Sequence, residues 1–331
     1  MDTSTHITMG FGLAGLAYLD PNVATNPELA TAVMIGTVIG SNAPDFDYTI
    51  KILKGNGMYT EHHRGLSHSL PAIIIWPILI AYIIFVLFNQ ISFIPLLYWT
   101  AIAVILHVLF DIFNAYGTQA GRPFTKKWLS LNFIPLFDLF IIFIHLIGFI
   151  FWLYQYPPGI IFFICYVTLS FYLIYRYIIS LRIKTMLAKY HPIANYTVIP
   201  TLSIKKWDFV IETDDYFRTG RVIKRKVIWN HLFRKHDPSC PYIQSSLKDC
   251  NVKHFLANSK HTHALYVERQ NGFEVRWFDL RFRQNHHYPY MALVLLDEHL
   301  QIVTSYTGWI HQSKYTHKKM IPTHVRNIEL K

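Results

Sequence analysis

Residues 65–110 contain no Asp, Glu, Lys or Arg, and neither do residues 139–175. Each stretch is too long for one buried helix and long enough for two membrane spans of about 20 residues. The chain is therefore expected to be an integral membrane protein. Its composition agrees, with 16% aromatic and only 15% charged residues. Four strong spans are expected at residues 71–88, 93–113, 134–154 and 160–181. Pro71 suits the first turn of a helix, where a missing N–H costs nothing. Two shorter apolar segments, 6–19 and 29–40, precede them. Both fall short of a comfortable span and are rich in small residues that favour close helix packing. They are read as further helices of the same bundle.

The character changes after Leu181. Residues 182–195 form a basic linker. Residues 196–331 then break into short alternating or β-branched runs at 196–202, 206–212, 221–228, 264–269, 273–282, 290–296 and 301–306. Turn residues such as Thr219-Gly220, Asn271-Gly272 and Asp297-Glu298 separate them. The expected fold class is an α-helical multi-pass bundle over residues 1–181, followed by a small, mostly antiparallel β domain. From Arg182 onward the net charge is +12, against −1 for everything before it. Basic residues mark the side of a membrane that faces the cytoplasm. The loops holding Lys51, Lys54 and Arg64, and Arg122, Lys126 and Lys127, are expected there together with the tail. The uncharged connections at Asn89-Gln90 and 155–159 are expected outside. Cys165, Cys240 and Cys250 have neither zinc-finger nor redox spacing and read as reduced thiols. The first residues lack the basic start of a secretory signal.

That topology brings the unusual polar residues to one depth. Glu61-His62-His63-Arg64-Gly65-Leu66-Ser67-His68-Ser69 lies just before a span that starts inside. His107 and Asp111 lie at the inner end of the next span, four residues apart and so on one helix face. Asp138 lies near the inner start of the third span, and Asp45, Asp47 and His6 reach the same edge through the first hairpin. An aspartate in a membrane helix is costly unless it finds a partner. A divalent transition ion, or two, would supply one. Mixed His/Asp ligation suits zinc first, then manganese or iron, rather than calcium. Each residue also admits a simpler role: Asp45 and Asp47 as caps, His107 and Asp111 as a hydrogen-bonded pair, His6 as a free terminal residue, Asp138 reaching the surface. His145 sits deeper and reads as packing. The histidines of the tail (His254, His261, His263, His286, His287, His299, His311, His317 and His324) show no ligand spacing.

Several blocks recur here in a known order. His6 precedes a short apolar helix; Pro44-Asp45-Phe46-Asp47 forms a turn; His63-Arg64-Gly65-Leu66-Ser67-His68-Ser69 follows; His107 and Asp111 share a helix; Gly117 to Pro123 forms a Gly-containing loop. In this the chain resembles the YdjM-type membrane-bound metal-dependent hydrolases, in their bacterial YfhP-like branch. The resemblance covers roughly residues 6–140 and implies a metal and a hydrolase. His62 lies outside its pattern. The basic β domain lies beyond the shared core.

The expected function is hydrolysis of an ester or phosphoester, lipid or lipid-linked, at the cytoplasmic face of the cell membrane. His6, Asp45, Asp47, His63, His68, His107 and Asp111 are the expected metal ligands, with Asp47 or His68 as an alternative general base. Arg64 would hold an anionic group, and Asp138 would orient a ligand. The competing reading is a membrane-anchored regulatory protein with a structural metal, whose basic domain contacts anionic lipid headgroups or nucleic acid. No helix-turn-helix or RNA-binding signature supports nucleic acid. A transporter would carry polar groups near mid-membrane, and nearly all of these sit at one edge.

Overall fold

A computed structural model describes residues 1–88, 90–284 and 287–310. Asn89, His286, His311, His317 and His324, and the end of the expected β region, lie outside the described residues.

The first half is helical. Helix α1 (Thr3–Leu16) begins where the Asp2 carboxylate accepts the Thr5 N–H at 3.1 Å. This is a side-chain cap on an otherwise orphaned backbone donor. Short α2 (Pro21–Ala24) leads to α3 (Pro27–Gly40), which Asn26 caps through the Leu29 N–H. A 3-10 turn at Ala43–Tyr48 carries Asp45 and Asp47. Helix α4 (Thr49–His62) is broken at Gly55, whose φ of 84° suits glycine, and a second 3-10 turn, Leu66–His68, enters α5 (Leu70–Leu87). Helices α6 (Phe93–Phe113), α7 (Leu139–Leu153) and α8 (Pro158–Ala188) complete the bundle.

Among the described residues, α5, α6 and α8 are long and apolar enough to cross a membrane, and α3 and α7 are shorter apolar helices. The third expected span thus becomes helical only at Leu139. Asp138 has extended backbone and caps α7, so residues 134–138 stay outside the helix. Helix α8 has 31 residues, about 46 Å of helix, well beyond an apolar core of about 30 Å. Its surplus absorbs residues 182–188, the basic stretch read above as linker.

Helix α1 packs close against its neighbours because its contacting face is glycine. A Cβ added at Gly10 would lie 2.9 Å from the Val38 Cα of α3, and one at Gly12 would strike the His145 ring of α7. His145 itself bonds back to the Ile141 carbonyl at 2.7 Å, in keeping with a packing role.

The second half holds two four-stranded antiparallel meanders. One is β1 (Asn195–Pro200), β2 (Lys206–Glu212), β3 (Tyr216–Ile223) and β4 (Lys226–Arg234). After α9 (Pro241–Ser246) and α10 (Cys250–Asn258) comes the other: β5 (Thr262–Arg269), β6 (Gly272–Asp279), β7 (Tyr290–Leu296) and β8 (Ile302–Trp309). One expected strand, 221–228, is in fact the two arms of the β3–β4 hairpin. Lys224 and Arg225 turn the chain with φ of 47° and 69°, without glycine or asparagine. Conversely, Thr219-Gly220 lies inside β3 beside a register shift.

The halves share cores. Leu187 of α8 packs with Val198, Trp207 and Phe209 of the first sheet. Ala115 and Tyr116, which follow α6, join Phe255, Val275 and Tyr290 of the second. Arg281 locks this junction, pairing with Asp279 and donating to the Ala115 carbonyl at 2.8 Å. The second sheet is thereby held over the polar ends of α1, α5 and α6.

Candidate metal centre

Five chain segments converge below that sheet. Helix α6 brings His107 and Asp111, both buried, one turn apart. The turn before α5 brings His68, fully buried. The turn after α3 brings Asp45 and Asp47. Helix α1 brings His6, whose ring stacks on His107 at 3.8 Å. His63 and Arg64 follow α4, where Arg64 takes a φ of 63°, an uncommon conformation for its side chain.

Hydrogen bonds fix the ring orientations. His107 Nδ1 lies 2.7 Å from the Ser41 carbonyl oxygen, which can only accept, so Nδ1 carries the proton. Ser67 donates its hydroxyl to Asp47 Oδ2 at 2.7 Å, so the hydroxyl oxygen accepts from His68 Nδ1 at 2.9 Å. As neutral rings, both imidazoles then present bare Nε2 lone pairs inward. The two Nε2 atoms face each other at 3.2 Å. His68 Nε2 lies 3.2 Å from Asp111 Oδ2 and 3.6 Å from Asp45 Oδ1. His107 Nε2 lies 3.6 Å and 3.7 Å from the same two oxygens. Asp45 Oδ1 is buried with no hydrogen-bond partner among the described residues. Burial, reinforced by His107, holds His68 well below the ordinary histidine range, which keeps its ring neutral. Burial opposes ionisation of Asp45, but His107, Arg64 and His63 outweigh it and hold that carboxyl below the usual range.

Four acceptors thus converge with no proton between them, which is costly without a cation. Tetrahedral zinc with bonds of about 2.1 Å has donor–donor edges of about 3.4 Å. The distances above, 3.2 to 3.7 Å, bracket that edge. Asp45, His68, His107 and Asp111 fit a metal ion on spacing, burial and donor chemistry. A second group, Asp45, Asp47 and His63, also has ligand spacing, but Asp47 already accepts from His63, Ser67 and the Arg64 N–H.

The outer oxygen of Asp111 is supported differently. Oδ1 contacts the Met1 amine and receives Arg64 Nη2 at 3.2 Å and Asn114 Nδ2 at 3.2 Å. His6 Nε2 also meets the Met1 amine, at 2.9 Å, and lies 3.6 Å from Asp111. His6 is therefore beside the four inner donors rather than among them. Arg64 is pinned by Asn114 Oδ1 and the Met1 carbonyl, both at 3.2 Å, and its Cζ lies 5.4 Å from the Tyr116 ring centre. His62 is exposed at the end of α4.

Asp138 is placed elsewhere. Its carboxylate accepts from Phe140 N at 2.9 Å and from Tyr172 Oη at 2.7 Å, and none of these bonds reaches the cluster. It caps a helix and ties α7 to α8, in place of the ligand-orienting role expected from its depth. Ser67, Asn114 and the Ser41 carbonyl do that orienting. Ser67 had a signal in lying between His63 and His68; the other two had none in a single sequence, since one is a backbone atom and the other lies at a helix end.

Met1, His63 and Arg64 also border a cavity of about 430 Å³ between the helices and the second sheet. The cluster is thus a few ångströms from a space large enough for a small molecule.

Comparison with known proteins agrees with this architecture. The YdjM inner membrane protein family matches residues 1–183, and the YfhP C-terminal alpha/beta plait domain matches residues 241–320. The chain is similar to the "Uncharacterized protein YfhP" of Bacillus subtilis (strain 168), at 40% identity over 97% of this chain and 98% of that one. No solved structure matches. The chain, with its apolar helices and buried His/Asp cluster, belongs to the YdjM inner membrane protein family.

Proposed function

We propose that the protein is a metal-dependent hydrolase acting on a phosphoester, lipid or lipid-linked, at the cytoplasmic face of the membrane. The observation that carries this is the set of four inward acceptors, two neutral imidazoles and two carboxylates, next to a cavity with Arg64 at its edge. Asp45, His68, His107 and Asp111 would hold the ion, zinc first by donor type. Once bound, it supplies Lewis acidity toward a phosphoryl oxygen and toward water.

The other steps belong to the chain. Arg64 reaches both cavity and cluster, and its fork of N–H donors suits the non-bridging oxygens of a phosphoryl group. Its present partner, Asp111, is shared with Asn114, so Asp111 stays supported when Arg64 turns to a substrate. His63 donates Nδ1–H to Asp47 at 2.8 Å, which leaves Nε2 able to accept a proton from an attacking water. Ser67 holds Asp47 and His68 in register. His68, His107 and Asp111 are buried and Asp45 is partly exposed, so most of the cluster is shielded from bulk water. The helices flanking the site face lipid, where the headgroup of a lipid substrate already lies. The basic loops argue for the cytoplasmic side.

Purified protein, stripped with chelator and reloaded with zinc or manganese, should cleave members of a phospholipid and isoprenoid-phosphate panel. Turnover should fall at least about a hundred-fold on stripping and in Arg64→Ala. Reloaded protein that hydrolyses neither the panel nor a soluble phosphoester, or cleaves equally well without metal, would sink the proposal. Turnover confined to soluble phosphoesters would defeat the lipid part alone.

A further inference from the structure

The cavity joins two chemically different ends. One end carries the cations Arg64 and Lys51, which lie against the rings of Tyr116 and of Tyr48 and Tyr59, and Asp2 is the cavity's one acidic lining residue. The other is aromatic: Trp128 comes from the loop after α6, and Tyr290, Tyr306 and Trp309 come from β7 and β8. Seven of the fifteen lining residues are Tyr or Trp. An alkyl chain would need aliphatic walls, and the aliphatic lining is confined to Leu136 and Met1. Gly308 sits in the roof with a φ of 131° and puts no side chain into the space.

The aromatic end is mechanically tied to the cluster. Trp309 packs edge-on to Phe282 and against Tyr290, with centroids at 5.7 and 5.6 Å. Phe282 stacks on Tyr116 at 4.4 Å, and the Arg64 guanidinium in turn lies against the Tyr116 ring. A ring held by Trp309 is therefore positioned relative to Arg64 through two stacked side chains. Aromatic walls bind flat or sugar rings through stacking, whatever polar groups those rings carry.

We infer that the C-terminal domain supplies the specificity wall of the site: Trp309, with Trp128 lining the same cavity, holds a ring in the alcohol half of the phosphoester while Arg64 receives its phosphoryl group. This rests on the phosphoester reading above. It gives the second sheet a part in substrate choice, and it narrows the substrate class to phosphoesters of ring-bearing alcohols, such as glycosyl or aryl, so that within the lipid panel ring-bearing headgroups are favoured over isoprenoid phosphates.

The test uses full-length, metal-loaded protein in detergent and two phosphonates that cannot be hydrolysed. Phenylphosphonate and methylphosphonate differ only in the ring, and their affinities are read by titration calorimetry. The parent should bind phenylphosphonate about ten-fold more tightly, the usual worth of one stacked ring. Trp309→Ala should shrink that preference to less than about three-fold, leaving methylphosphonate affinity and metal content unchanged. Trp309→Phe should retain most of it. Trp128→Ala, in the membrane half, should reduce it without touching the sheet. Equal binding of the two phosphonates by the parent overturns the inference and leaves the phosphoester reading standing. So does a preference that survives in Trp309→Ala and Trp128→Ala. Failure of the metal-loaded parent to bind either phosphonate removes the phosphoester reading and this inference with it.

Discussion

Ser67 shows how much one hydroxyl decides. By donating to Asp47 it forces His68 to donate back from Nδ1, which exposes the Nε2 lone pair to the cluster. Removing it frees the His68 tautomer. Ser67→Ala should weaken metal binding about 10- to 100-fold, the range for lost ligand-orienting bonds, with unchanged helix content. Chelator competition measures the first and circular dichroism the second; unchanged affinity would contradict the tautomer argument. His263 shows the opposite case, a histidine that must stay neutral to remain in place. Its ring lies between Phe233 and Phe278, at 5.0 and 5.5 Å, and Nδ1 has no partner among the described residues. Burial, with His236 nearby, lowers its pKa to about 4 from the ordinary 6.5. The unfolded chain therefore binds the proton first, so stability falls as pH drops from about 6.5 toward 4. His263→Phe should flatten the thermal-midpoint-versus-pH curve over that window. An identical slope in parent and variant would rule His263 out as its cause.

At the level of elements, the centre depends on how closely α1 approaches α3. Gly10 permits that approach, since any Cβ there meets Ser41 Oγ and the backbone of Val38. Gly10→Leu should cost about 1–3 kcal/mol through overpacking and lower metal affinity by displacing α1, together with His6, and α3, which carries the Ser41 carbonyl. Thermal unfolding in detergent and chelator competition would show both; a lowered midpoint with intact metal affinity would mean that the cluster tolerates movement of α1. Element type was legible where charge or periodicity spoke clearly. The absence of charge between Gly65 and Phe110 marked α5 and α6, and the Asn271-Gly272 turn marked the β5–β6 hairpin. It was not legible at Lys224-Arg225, where a tight turn uses two residues with no turn preference, tolerated because the β3–β4 pairing holds them. Nor was it legible over 182–188, where a basic run reads as linker until the helix is seen to continue beyond any bilayer.

Over the whole molecule, the site is a product of two halves that the sequence separates by charge. The donors come from residues 45–111, and their common depth could be argued from span topology alone, because each carried a charge or an imidazole where lipid forbids them. Asp138 shared that depth and yet serves α7 and α8, which shows that depth places a residue in a layer and leaves its azimuth open. The roof was beyond reach of the sequence: it rests on long-range contacts such as the Arg281 bridge and the Tyr116–Phe282 stack, which help bring β7 and β8 over Arg64. The central claim is that a metal ion resolves the four facing acceptors. The most direct measurement is the transition-metal content of detergent-purified protein, compared with His68→Ala and Asp111→Ala at matched helix content. A tightly held ion in the parent, lost from both variants, is the predicted result. A parent that binds no divalent ion even after metal-supplemented purification, with both variants equally stable, would contradict the account and leave a polar cluster at the membrane edge.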